Sequence, residues 1–131
     1  MKSSLSFLGM GAAVIVFFAG GLTTLAQEPL EPRIAAYDKG PATIDVSQYP
    51  ADMQKRYKLF ATRCSKCHTI ARPINCDFVL EDEWERYVKR MMRKPGSGID
   101  QAAGKDIYAF LAYDSKMRKK AMYDKRTKEI K

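Results

Sequence analysis

Hydrophobic positions along this chain change their spacing twice, and the two changes divide it. From Ser3 to Gln27 there is no charge, and the centre of that stretch, Ala12–Ala19, is continuously apolar. Residues 27–49 mix Pro29, Pro32, Pro41 and Gly40 with polar side chains and hold no sustained helical or strand period, which predicts a tether. Ile34, Ile44 and Val46 are the positions through which such a tether would pack as a strap. From Pro50 the period turns helical. Met53, Tyr57, Phe60 and Cys64 recur at spacings of four, three and four, one face of a helix that starts at Pro50.

Two further helices follow. Glu81, Asp82 and Glu83 open the first, Arg90, Arg93 and Lys94 close it, and Pro95-Gly96 stops it. Acid first and base last complements the helix dipole. Trp84, Val88 and Met91 fall at i, i+4 and i+7 with Tyr87 beside them, whereas Met92 is rotated by about 100°. The last helix begins near Asp100, an N-cap after Gly98, and turns Ala103, Ile107, Phe110 and Leu111 inward. The expectation is an all-α domain over residues 50–115, with three to four helices and a basic tail at 116–131. At 131 residues the chain is one domain plus appendages.

The uncharged N-terminus reads as an address. Lys2 precedes the apolar stretch, and Thr24-Leu25-Ala26 offers small residues three and one positions before a cut after Ala26. An uncleaved membrane anchor is the other reading, because about 20 apolar residues suffice to cross a bilayer. Gly20-Gly21 interrupts the apolar run and favours cleavage. Both readings put residues 27–131 outside the cytoplasmic membrane, in a periplasm or on the outer membrane face.

Charge narrows the choice of partner. The formal net charge is +8; with Lys2 set aside, 22 basic side chains face 15 acidic ones. Such a balance suits an acidic protein surface or an anionic membrane. Nucleic acid is set aside, since no nucleic-acid module is visible and the export signal opposes it.

The chemistry concentrates in Cys64-Ser65-Lys66-Cys67-His68. Two thiols three residues apart each add to a vinyl group of one haem, and the adjacent His reaches the iron from the same side. C-x-x-C-H is read as haem c attachment on that ground. A redox dithiol would follow a βαβ pattern, which is missing here. A zinc site needs four ligands, and beyond this motif the chain holds only Cys76 and no other His. Export agrees with attachment, because bacterial thioether formation takes place outside the cytoplasmic membrane.

His68 is the sole histidine, so the opposite axial position falls to Met, Lys, Cys76, an outside group or nothing. A Met on an apolar stripe is most often core filler. A haem changes that weighting, since thioether ligation raises the potential and suits electron transfer. Met91 is the first choice and Met92 the second; Met53, Met117 and Met122 lie in the first helix or the tail.

These residues resemble a family. Residues 57–115 are similar to the small monohaem class I type cytochrome c domains, in which C-x-x-C-H follows a short helix. In a widespread bacterial subgroup the motif leads to an Arg-Pro turn and then a W-x-x-x-V-x-R-M helix. Here these are Arg72-Pro73 and Trp84 through Met91. The resemblance implies that Met91 is the distal axial ligand and that Phe60 is the aromatic of the first helix. Arg56 stands where the family carries a glycine at the crossing of first and last helices. The fold implied is a small cytochrome c wrapped around one covalent haem. About 66 residues bury too little to be comfortably stable alone, so the apoprotein is expected to be largely unfolded.

Cys76 is an odd cysteine for an oxidising compartment; it reads as a buried thiol, with an intermolecular bridge or a ligand as alternatives. The tail carries eight basic residues against Asp124 and Glu129, a solvated run or a steering patch for an acidic redox partner. The function expected is one-electron carriage. A haem-bearing subunit fixed in a membrane oxidoreductase complex and a haem sensor with an open sixth position are the alternatives. Enzymatic activity is not expected, because no second His offers a distal base.

Overall fold

The computed structural model describes residues 29–131, so the signal or anchor at residues 1–26 lies outside the described residues. Six helices follow one another: α1 (Pro32–Asp38), α2 (Ala51–Cys64), α3 (Ala71–Asn75), α4 (Glu81–Met92), α5 (Gln101–Arg118) and α6 (Lys120–Glu129). No strand occurs among the described residues, and none of their helices is long and apolar enough to cross a membrane. The chain is all-α, with more helices than the three to four expected.

Three of these helices start where the residue pattern predicts. Pro50 caps α2, where its missing N–H costs nothing. Glu83 caps α4 from inside, its Oε2 accepting from the N–H groups of Val79 and Leu80, each at 2.9 Å. Asp100 caps α5 by accepting from Ala103 N at 2.8 Å. Between α4 and α5 the chain turns through Gly96 at φ 73° and Gly98 at φ 61°, a region in which a side chain would be strained.

The core lies where α2 and α4 pack on α5. Phe60 of α2 stacks on Phe110 of α5 with ring centroids 5.4 Å apart, and Tyr57 leans on the same ring at 5.3 Å. Trp84 of α4 is buried and donates from Nε1 to Ser115 Oγ at 2.8 Å, which satisfies its one polar atom. Arg56 reaches across the α2–α5 crossing, its Nε 3.1 Å from Asp106 and an Nη 2.9 Å from Asp52. The close approach of helices falls elsewhere. A Cβ added to Gly104 of α5 would stand 2.6 Å from Met92 Sδ, so α5 meets α4 through a glycine.

The structure adds detail to both ends of the described chain. Within the stretch expected as a tether or strap, Pro32–Asp38 form α1. Seven residues make only two turns, too few to display a period, and Pro32 opens the helix instead of breaking it. α1 buries none of its own residues and is held by polar clamps: Arg72 to Asp38 through two nitrogens, and Tyr37 to Asp77. Ile44 is buried behind it, its N–H donating to Tyr57 Oη at 3.0 Å.

The basic tail at 116–131 is helical over most of its length. α5 runs on to Arg118, and α6 folds back over the start of α4. Lys116 meets Glu81, Arg126 meets Glu83, and Arg118 meets the buried Asp114. The half-buried Lys119 donates to the carbonyls of Cys76 and Phe78, with its ammonium over the Trp84 ring. Glu81 and Glu83 lie far from these cations in sequence, which is why charge counting missed the pairing.

Candidate functional site

α2 ends at Cys64, and the chain turns through Cys67 and His68 before α3 begins at Ala71. Facing this turn are the last turn of α4 and the loop after it. Between them lies a cavity of about 630 Å³. That volume is in the range of cofactor sites, roughly 300–1,000 Å³. Its walls include Cys64, Cys67, His68, Tyr87 and Met91, and Leu30 and Ile34 of the N-terminal strap close one side. The Pro95, Ser97 and Ile99 loop closes another.

The two thiols differ in setting. Cys64 is half-buried at the end of α2, and burial, with the Cys67 thiol adding to it, pushes its thiol up to about 12. Cys67 is exposed at the rim. His68 Nδ1 stands 2.9 Å from the Thr69 carbonyl oxygen. A carbonyl can only accept, so Nδ1 carries the proton of this bond, the tautomer that in a neutral ring leaves the Nε2 lone pair to a metal. Thr69 also accepts from Ala71 N through Oγ1 at 3.1 Å, which ties the His68 turn to α3.

The methionines separate cleanly. Met91 lines the cavity across from the cysteine turn. Met92, one residue on, packs against α5 at Gly104, and its carbonyl accepts from Ser97 Oγ. Met53 sits beside Arg56 on α2, and Met117 and Met122 are exposed. None of these four is among the cavity walls. Cys76 is also outside the cavity; it is buried, its Sγ donates to Pro73 O at 3.3 Å, and burial raises its thiol.

The pattern of residues left other cavity groups unnamed. Arg63, Arg72, Arg90 and Lys94 stand around it with Glu31 as the acid. Arg72 is matched by Asp38, whereas Arg63, Arg90 and Lys94 have no carboxylate partner among the described residues. Tyr87 is buried, and its hydroxyl has no hydrogen-bond partner among the described residues. In sequence Arg90 and Lys94 serve the helix dipole and Tyr87 widens an apolar stripe, so nothing local signals an anionic ligand.

Among the described residues no group of three or more His, Cys, Asp or Glu side chains converges as a metal site. A haem iron takes only axial donors from the protein, so His68 and a methionine are the donor set to test. They fit: an imidazole and a thioether line one cavity together with both thiols. Comparisons with family models, curated proteins and solved structures gave no match to this chain.

Proposed function

We propose that this chain is a monohaem c-type cytochrome that carries single electrons outside the cytoplasmic membrane. The observation that carries the reading is the sharing of one cavity by Cys64, Cys67, His68 and Met91. Cys64 and Cys67 would hold the haem through thioethers, and His68 Nε2 and Met91 Sδ would be the donors to its iron. The bound group supplies an iron that cycles between ferric and ferrous states.

The chain's own residues then have distinct tasks. The Thr69 carbonyl fixes the His68 tautomer and ring orientation. Met91 supplies a soft donor that favours ferrous iron. Leu30, Ile34 and Ile99 line the cavity with apolar surface that excludes water, which further favours the less charged reduced centre. The unmatched Arg63, Arg90 and Lys94 support docking on an acidic redox protein or on an acidic face of a membrane oxidoreductase.

Absorption spectra of the purified protein in both oxidation states, with and without carbon monoxide, test this reading. A low-spin c-type spectrum that carbon monoxide leaves unchanged is expected. Acid denaturation and solvent extraction should leave the haem on the polypeptide. Haem passing into the solvent, or a mass lacking one haem, would sink the proposal.

A further inference from the structure

The cavity has two sides of unequal build. On one, α4 is seated in the core through Trp84, Tyr87 and Val88, all buried. On the other, Pro29, Leu30, Glu31 and Ile34 close the space, yet α1 buries none of its residues and Leu30 is 49 % exposed. Among the described helices α1 packs on α3 alone. A segment with so little buried apolar surface opens at low cost, without the core following.

The fastenings of α1 are gathered at one end. Asp38 accepts from two nitrogens of Arg72, and Tyr37 Oη donates to Asp77 at 2.5 Å. Asn75 Nδ2 donates to the carbonyls of Tyr37 and Pro41 at 3.1 and 3.0 Å. Gly40 lies between those two carbonyls, and a Cβ there would stand 2.4 Å from Asn75 Nδ2, so the glycine lets the chain pass close to the amide. α3 beneath is firmly seated, with Ala71, Pro73 and Ile74 buried. Residues 29–34 make no side-chain hydrogen bond or ion pair among the described residues. One end is fastened; the other only rests against the cavity.

We propose that residues 29–38 are a lid, pivoting at Gly40 and latched by Asp38 on Arg72 and by Tyr37 on Asp77, whose opening admits small neutral iron ligands to the cavity. The inference rests on the cytochrome reading for the iron inside; the lid itself is a property of this chain. Arg72 belongs both to the latch and to the cavity wall, so the closed lid and the cavity share a side chain. Electron transfer needs no passage into the cavity. A closed lid therefore leaves carriage intact while keeping competing donors from the iron.

The test is ligand entry into the reduced Met91→Ala holoprotein, mixed with carbon monoxide or with the bulkier n-butyl isocyanide. Adding Asp38→Asn and Tyr37→Phe removes both latches and should speed isocyanide entry about tenfold, carbon monoxide entry less. Leu30→Ala with Ile34→Ala thins the lid and spares the latches; it should act in the same direction, and it serves should the latch variant fail to mature. Asp106→Asn, which breaks an ion pair with Arg56 away from the cavity walls, should change neither rate. Unchanged isocyanide entry in both lid variants would overturn the inference, as would equal acceleration by Asp106→Asn. A second readout decides the matter should Met91→Ala stay closed to carbon monoxide. In the wild-type holoprotein the α1 amides should exchange faster than those of Phe60 and Phe110 by about tenfold or more. Equal protection would mean that α1 does not open by itself and would overturn the lid. Wild-type protein without covalent haem would overturn the cytochrome reading instead, a result readable before any variant is made.

Discussion

Two cationic regions of this molecule treat their charges in opposite ways. On the C-terminal helices, Lys116, Arg118, Lys120 and Arg126 each meet a carboxylate within 2.5–2.7 Å, and Lys119 is taken up by two carbonyls. Around the cavity, Arg63, Arg90 and Lys94 meet none among the described residues, and the hydroxyl of Tyr87 is unpartnered. The linear sequence gives the tail the denser charge and thus the stronger claim to a partner. Folding reverses this. Most of the tail's cations are taken up by the chain's own carboxylates and carbonyls, two of them on α4, and the cavity's cations are left for something outside the chain.

The difference is one of origin. Lys116 and Arg126 pair with acids on the first turn of α4, whereas Arg118 and Lys120 pair within their own helices, so the electrostatics of all four stay inside the fold. Cavity cations sit beside a concave space, a site that gains from an anion. An ion pair inside the chain has its counter-charge built in; Arg90 and Lys94 are exposed and hydrated, with their charge open to an anion from outside.

The largest way to break the comparison is to prevent filling. Replacing both Cys64 and Cys67 by Ala should abolish covalent haem, and the apoprotein should lose most of its helical circular dichroism. A double variant with wild-type helicity would show that α2, α4 and α5 pack well enough on their own. Replacing His68 should likewise block maturation to a low-spin species.

The second test concerns the paired methionines. Met91→Ala should remove the red sulfur-to-iron band, open the iron to carbon monoxide and lower the potential. Met92→Ala should spare the band and cost stability, by about 1–2 kcal/mol, because its side chain is half-buried against Gly104. Thermal denaturation and absorption spectra separate the two. The reverse pattern would assign the ligand to Met92.

The all-α fold, and the gathering of Cys64, Cys67, His68 and Met91 on one cavity, were legible where the information was local. The Trp84–Val88–Met91 spacing gives the inward face of α4, the Phe60 and Phe110 positions give the α2–α5 contact, and five consecutive residues hold the three groups proposed for attachment. What escaped was non-local. α1 is too short for a period and is held by Asp38–Arg72 across 34 positions. The tail's order comes from Glu81 and Glu83, 35 and 43 positions from Lys116 and Arg126. Tyr87 on an apolar stripe reads as core, and only the fold leaves its hydroxyl without a partner.

The third test compares the two cationic regions directly. Removing residues 120–131 should destabilise the protein by roughly 1–3 kcal/mol, the worth of charged hydrogen bonds such as Arg126 to Glu83. Its rate of reduction by an acidic partner should barely change. Arg90→Gln with Lys94→Gln should do the opposite, slowing the reaction roughly tenfold at low salt with little change in melting temperature. The slowing should fade near 1 M salt, where screening falls to about 3 Å. If the truncation slowed the reaction and the cavity pair did not, the tail would regain its steering role.

The smallest effect concerns the clamp that holds the strap beside the cavity. The hydrogen bonds from Arg72 hold the Asp38 carboxyl below the usual carboxylate range. A depressed carboxyl contributes stability that is present above its unfolded value and lost as pH falls through its folded value. That unfolded value is 3.8, so the clamp should be fully formed from pH 5 upward and fail only in stronger acid. Both side chains are about a quarter exposed, which limits the effect to about 0.5–1 kcal/mol. Hydrogen exchange of the Pro32–Asp38 amides should report it, because a loosened clamp frees α1 while the α2–α5 core stays closed. In wild type those amides should exchange faster as pH drops below the unfolded value, after correction for intrinsic rates. In Asp38→Asn they should exchange fast at neutral pH and lose that acid dependence. Equal protection in both proteins at pH 7 would mean that Tyr37 with Asp77, and Asn75 with the carbonyls of Tyr37 and Pro41, hold the strap without Arg72.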